Sequence, residues 1–323
     1  MPSKHLFFVA AACAFPLSLA ACGSSSSSGD TPITPQGAHY GYVVSGVSVP
    51  TTEKQRADFG IDLGGTTSSK QDGITDNKLG GLIETLSAFV DIQGAVNTAV
   101  DKGTILLLVD FQTQDLANSS AAGFGVKLAD TATPAPCTDP SDTVCRHHLD
   151  GHGMFTVAAD SPTDAVVGGK IVGGAFTGGP GDVTVQLALG GATPLTLNLL
   201  RARVLATISP TGIMNATIGG LLTQAEITTE LLPVIQVQAN NFLTQNCTGT
   251  GPMCGCTGDA AKFLSTLDTN GDCTLSTDEI LAFGAVAQAL SPDVCSMSSC
   301  AKADGVSIGV QVQAVKATFT GAM

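Results

Sequence analysis

Two segments of this chain alternate strictly between apolar and other residues. Val183, Val185, Leu187 and Leu189 enclose Thr184 and Gln186, and Val306, Ile308, Val310 and Val312 enclose Ser307, Gly309 and Gln311. Successive side chains of a strand point to opposite faces, so a period of two fits a sheet and excludes an amphipathic helix. The second segment lies near the C-terminal end. A lone strand leaves its backbone donors and acceptors unpaired, so this one must return to a sheet built earlier. After Gly190-Gly191 turns the chain, Leu195, Leu197 and Leu199 resume the alternation, and Arg203–Ile208 and Met214–Ile218 continue it. Further strands are predicted at His39–Val49, Gly123–Leu128, Met154–Ala158 and Ala165–Phe176. Ile105–Val109 is a continuous apolar run, as in a strand covered on both faces. Gly178-Gly179-Pro180-Gly181 reads as a turn.

Helical spacing is confined to a few places. Leu82, Leu86, Phe89, Val90, Ile92, Val96 and Val100 mark a helix over 79–100, and 220–242 is helical with a break or kink at Pro233. Strands separated by Gly/Pro turns predict a mainly β fold: an antiparallel β-sandwich from residues 38–244 with 303–323. A small Cys-rich region, 245–302, is inserted before the last strand. Glycine makes up 38 of 323 residues and only 13% are charged, about half the roughly 25% of ordinary soluble domains. This suits an extracytoplasmic β protein. The net charge of −13 excludes nucleic acid as a partner, since phosphate binding needs a basic surface, and favours cations.

The start of the chain reads as an export signal. Lys4 and His5 precede an apolar run from Leu6 to Leu19, too short to span a membrane. Leu19-Ala20-Ala21-Cys22 resembles the lipobox of bacterial lipoproteins. That resemblance implies cleavage after residue 21 and acylation of Cys22, with the membrane reached through the N-terminal lipid. Gly23 and the Ser24–Ser28 run, stiffened by Pro32 and Pro35, form a tether over 22–37. Gly23 after the cysteine points to the outer membrane if the Gram-negative sorting rule applies.

Eight cysteines remain beyond Cys13 and Cys22: Cys137, Cys145, Cys247, Cys254, Cys256, Cys273, Cys295 and Cys300. An even number in an exported chain implies disulfides. Cys137 and Cys145 bracket a short acidic loop and are expected to pair. The other six leave their connectivity open. Zinc at Cys254-Gly255-Cys256 is the rival reading, disfavoured by the one-residue spacing.

The sharpest motif is Asp268-Thr269-Asn270-Gly271-Asp272-Cys273-Thr274-Leu275-Ser276-Thr277-Asp278-Glu279. It resembles an EF-hand calcium loop. Ca²⁺ takes six to eight hard oxygens, supplied at loop positions 1, 3, 5, 7, 9 and 12. Asp268, Asn270, Asp272, the Thr274 carbonyl, Ser276 and Glu279 fill them, and Leu275 is the buried residue beneath. Leu264 and Leu267 before the loop, and Ile280 and Phe283 after it, lie on the inner faces of flanking helices. One position departs from the pattern. Where the motif has glycine, because the turn needs positive φ, this chain has Cys273. A disulfide from Cys273 to Cys254 or Cys256 would hold that turn. With only one such loop evident, the affinity is expected to be weak and the role of the ion structural.

Weaker constellations carry bland alternatives. Asp62, Asp72, Asp76 and Asn77 form a second acidic loop that could bind an ion or merely cap a helix. His147, His148 and His152 could bind a transition metal, yet Asp150-Gly151 reads as a turn. Gly305-Val306-Ser307-Ile308-Gly309 spells a nucleophile elbow, but its surroundings alternate as a single strand. The glycine-rich stretch 168–181 lacks the Lys of a phosphate loop. Glu84, Glu226 and Glu230 give no basis for a catalytic pair.

The lipobox, serine tether, Cys-rich segment and calcium-like loop together resemble a group of predicted lipoproteins of myxobacteria. That group has no known activity, so the resemblance adds no catalytic residue. The expectation is a calcium-binding, lipid-anchored cell-envelope protein with a structural, adhesive or binding role and an unassigned protein or glycan partner. The alternative is an exported hydrolase carrying structural calcium. The absence of Trp and the presence of only two Tyr weaken sugar-directed readings.

Overall fold

A computed structural model describes residues 32–87, 91–163, 165–187, 195–249 and 254–320. The signal and Cys22, the tether up to residue 31, Phe89, Val90, Leu189 and the Gly190-Gly191 turn lie outside the described residues.

Twelve strands are present among the described residues: β1 (Ala38–Ser48), β2 (Leu107–Thr113), β3 (Asn118–Thr133), β4 (Met154–Val157), β5 (Val166–Val172), β6 (Ala175–Leu187), β7 (Leu195–Ser209), β8 (Gly212–Thr223), β9 (Cys247–Thr248), β10 (Gly255–Cys256), β11 (Gly305–Lys316) and β12 (Thr318–Thr320). The helices are α1 (Glu53–Asp58), α2 (Lys78–Ser87), α3 (Ile92–Asp101), α4 (Gln224–Glu226), α5 (Leu232–Asn246), α6 (Asp259–Ser265), α7 (Thr277–Ala282) and α8 (Gly284–Ala289).

The expected sandwich is corrected to a closed antiparallel barrel. The strands run β3-β2-β1-β11-β8-β7-β6-β5, and β5 pairs back onto β3 from Asn118–Val172 to Gly125–Val166. Alternation and turn spacing are the same in a sandwich and a barrel. What separates them is this one long-range pairing, which no local pattern encodes. At the far end of β3 the short strands β4 and β12 extend the sheet. The terminal strand β11 lies between β1 and β8, antiparallel to both.

The inward residues meet across the lumen. Phe111 on β2 touches Phe124 on β3 edge-on at 6.3 Å, and Phe176 on β6 at 5.2 Å. Phe124 and Phe176 stack at 6.2 Å. Strands β2 and β6 are not neighbours, so these rings touch through the interior. Tyr42 on β1 donates its hydroxyl to the Ser209 carbonyl of β7 at 2.9 Å, also spanning non-adjacent strands. All four rings are buried. The barrel is therefore a packed core and not a channel, as an eight-stranded interior allows. Phe176 fits because its neighbours lack side chains: a Cβ on Gly178 would lie 2.5 Å from its ring, and one on Gly169 2.7 Å. The expected turn at 178–181 is instead a bulge inside β6, where the pairing with β7 shifts register.

On β11, Val306, Ile308, Val310 and Val312 are buried with the core, while Ser307 and Gly309 face outward beneath the chain around α1 and α2. Gly309 leaves room for that chain, since a Cβ there would fall 2.0 Å from the Phe59 carbonyl oxygen. A satellite cluster of Ile61, Leu63, Leu221 and Val294 packs outside the barrel. The predicted 79–100 helix is two helices, α2 and α3, the second capped by the Asp91 side chain. The predicted 220–242 helix begins only after β8 ends. A π-helical turn at Ile227–Leu231 precedes α5, and Pro233 sits in its first turn. The short α1 is capped by Thr52 and precedes the acidic loop. Among the described residues no single helix is long and apolar enough to cross a membrane.

Candidate metal centre

The loop 268–279 joins α6 to α7. Its chain path depends on two left-handed residues, Gly271 (φ 73°) and Cys273 (φ 65°). Glycine adopts this region freely, whereas a residue with a Cβ pays about 1 kcal/mol or more. Cys273 is bonded to Cys254, and the crosslink holds the left-handed residue in place. The remaining disulfides are Cys137–Cys145, Cys247–Cys256 and Cys295–Cys300. Cys254 and Cys256 thus belong to different disulfides, and neither offers a thiolate for zinc.

The loop carboxylates accept local backbone N–H groups, and among the described residues Asp272 and Glu279 lie outside the one close ligand group that contains Asp268. Asp268 accepts from Gly271 at 2.8 Å, Asp272 at 3.2 Å and Cys273 at 2.7 Å. The Asn270 oxygen accepts from the Asp272 N–H at 2.9 Å, and Asp272 from the Thr274 N–H at 2.8 Å. Glu279 reaches back across the loop. One carboxylate oxygen accepts from Thr269 (2.8 Å) and Asn270 (3.2 Å), the other from the Ser276 N–H (2.9 Å). Ser276 and Glu279 also form a reciprocal capping box at the start of α7. The Ser276 backbone N–H, then its hydroxyl, pull the Glu279 pKa down to about 2. The Thr274 hydroxyl and N–H lower that of Asp272. Leu275 is buried under the loop, and its backbone is held by Asn240 and Gln236 of α5.

Cys254, Asp268 and Cys273 place three potential ligand atoms within 4.8 Å of one another, a group that could hold a metal ion. With the two sulfurs bonded to each other, Asp268 is its only anionic donor. A disulfide sulfur is a poor metal ligand, since it is the thiolate that binds metal. The oxygens available around Asp268 are hard donors, which match Ca²⁺ or Mg²⁺ better than a soft transition metal. No family model, curated protein or solved structure matches this chain. The chemistry of the loop is therefore argued from its own residues.

The other constellations resolve into structure. Asp62 accepts from the Gly64, Asp72 and Gly73 N–H groups, and Asp76 from the Leu63 N–H at 2.7 Å. These carboxylates organise the 62–77 loop. Burial first, and then the Asp293, Asp72 and Asp62 charges, push the Asp76 pKa up to about 6 against the Leu63 bond. Ser307 is fully buried. Its hydroxyl donates to Asp293 at 2.5 Å and accepts the Lys78 N–H at 2.8 Å, capping α2 from a distant strand. It lies within β11 and not at a strand–turn–helix elbow.

The three histidines do not converge. His147 pairs with Asp142 at 3.0 Å, the His152 N–H closes a turn onto Asp150, and His148 is buried against Phe155. Neither His148 ring nitrogen has a well-formed hydrogen bond among the described residues. Burial, followed by the Arg146 charge, pushes its pKa down to about 4. The unfolded chain takes up this proton near pH 6.5 and the folded protein does not. His148 therefore leaves stability intact above pH 6.5 and erodes it as pH falls from there to about 4, by up to ~1.4 kcal/mol per pH unit. Asp76 acts in the opposite sense below pH 6. The expected result is that His148→Leu gains stability relative to the parent as pH is lowered from 7 to 4.5, read from urea midpoints. A constant difference between the two proteins would refute the assignment.

Two features escape sequence reasoning. Arg201 sits at a β7 bulge, and its guanidinium donates to the Leu63, Ser69 and Cys295 carbonyls. It clamps two distant loops to the barrel wall, and its only sequence signal is a cation within an alternating strand. The second is a hollow of about 630 Å³ between α2 and α3 on one side and α5 to α8 on the other.

Proposed function

We propose that this is a calcium-binding envelope protein with a non-enzymatic role, held to the outer membrane by a lipid on Cys22. Ca²⁺ is bound by Asp268, Asn270, Asp272, the Thr274 carbonyl, Ser276 and Glu279. The observation that carries the reading is the path of the loop. Left-handed turns at 271 and 273, and the Glu279 carboxylate reaching back to the Thr269 and Asn270 N–H groups, give the chain between the two helices the course that such a loop needs. The bound ion braces the helical layer against α5 through Leu275. The four disulfides are compatible with export, and the lipobox resemblance at Leu19–Cys22 supports the anchor.

Calorimetric titration of the full chain with CaCl₂ tests the site. The parent is expected to bind one ion with Kd about 10⁻⁴ to 10⁻³ M, the range of extracellular modules. Glu279→Ala should abolish the heat, and identical titrations would end the calcium assignment. In fractionated cells Cys22→Ser should leave the membrane, and retention there would remove the anchor.

A further inference from the structure

The hollow between the helices is of a size and chemistry suited to a ligand. Its volume of about 630 Å³ falls within the roughly 300–1,000 Å³ of small-molecule sites. The walls are mainly apolar, with Leu82 and Leu86 of α2, Ile235 and Phe242 of α5, Phe263 of α6, and Phe283 between α7 and α8, and they also carry neutral amides such as Gln238 and Gln288. The barrel lumen is filled by aromatic rings and leaves no room for a guest, whereas this outer hollow does.

The charged residues among the lining are Arg56 and Lys78, both cations, in a chain with 14 Lys and Arg against 27 Asp and Glu. They lie toward the start of α2, where Lys78 is the first residue and the Arg56 guanidinium passes Gly81. Arg56 pairs with Glu84 at 3.3 Å. The Lys78 ammonium donates to the Ser291 hydroxyl at 2.6 Å, and the Asp293 carboxylate is near enough to feel its charge. The positive end of the α2 dipole lies on the same side. The hollow is thus apolar along α2 and cationic at the start of that helix.

We infer that this hollow binds a long-chain fatty acid, with the acyl chain along Leu82, Leu86 and Phe242 and the carboxylate at Lys78. An unbranched chain suits walls in which Leu, Ile and Phe predominate. The anionic head has a cation to meet, and among the described lining residues none is acidic.

The test is fluorescence displacement of bound parinaric acid from the full chain by oleate and by oleyl alcohol. The parent should bind oleate saturably and about tenfold more tightly than the alcohol, as a charge-assisted contact predicts. Lys78→Met should erase that preference while leaving the alcohol unchanged. Ala239→Trp, which fills the wall at α5, should abolish both, with circular dichroism confirming the fold. If Ala239→Trp does not fold, the Lys78→Met comparison decides alone. The inference is overturned if neither ligand displaces the probe, if the parent binds acid and alcohol equally, or if a folded Ala239→Trp still binds.

Discussion

Phe111→Ala is expected to cost ~3–5 kcal/mol of folding stability, the range for emptying a large aromatic from a packed interior. Phe111 is fully buried and contacts Phe124 and Phe176 across the lumen. Those rings are fixed by their own strands, so they cannot collapse into the space left behind. Collapse is what keeps such substitutions at the low end, and a closed barrel resists it. Urea denaturation of the full chain measures the loss. Val172→Ala, at a position 65% exposed on β5, serves as the control and should change stability by less than about 0.5 kcal/mol. Equal effects at the two positions would mean that the lumen is not the core.

Removing the Cys254–Cys273 crosslink should be nearly as damaging. The bond spans 19 positions, and closing a loop of that length in the unfolded chain is worth about 3 kcal/mol. The double variant Cys254→Ala/Cys273→Ala should lose that amount and also retain a left-handed alanine at position 273. Cys254→Ala/Cys273→Gly lacks the same crosslink but relieves the backbone. It should be about 1 kcal/mol more stable than the alanine version in thermal melts. Were the two to melt together, the positive φ of Cys273 would carry no strain. The pair separates what the crosslink contributes through the unfolded chain from what it holds in the native turn.

What could be read from the sequence was local. Val306, Ile308, Val310 and Val312 announced an inward face, and Leu264, Leu267, Ile280 and Phe283 the buried sides of the helices around the loop. The closing contact between β3 and β5 could not be read. It joins residues with no shared periodicity, and an open sandwich would present the same alternation. The Gly178–Gly181 run looked like a turn because glycine and proline commonly mark one. Here Gly178 makes room for the Phe176 ring and the chain continues as a bulged strand. At the candidate site, the spacing of Asp268, Asn270, Asp272 and Glu279 carried the whole motif within twelve positions. The hollow beside it is assembled from α2, α3 and α5 to α8, each of which alone reads only as an amphipathic helix with a face to bury.

The position of β11 between β1 and β8 has a consequence for biogenesis. During synthesis the barrel has a gap until residues 305–316 emerge, because the first strand and the eighth have no other way to meet. A ribosome-bound or partly translocated chain can form hairpins but cannot close the wall. Completion waits until that strand is available, and contacts between such distant parts of a chain form slowly. A wall wired in this way stays open, and the chain threadable, until its eleventh strand arrives.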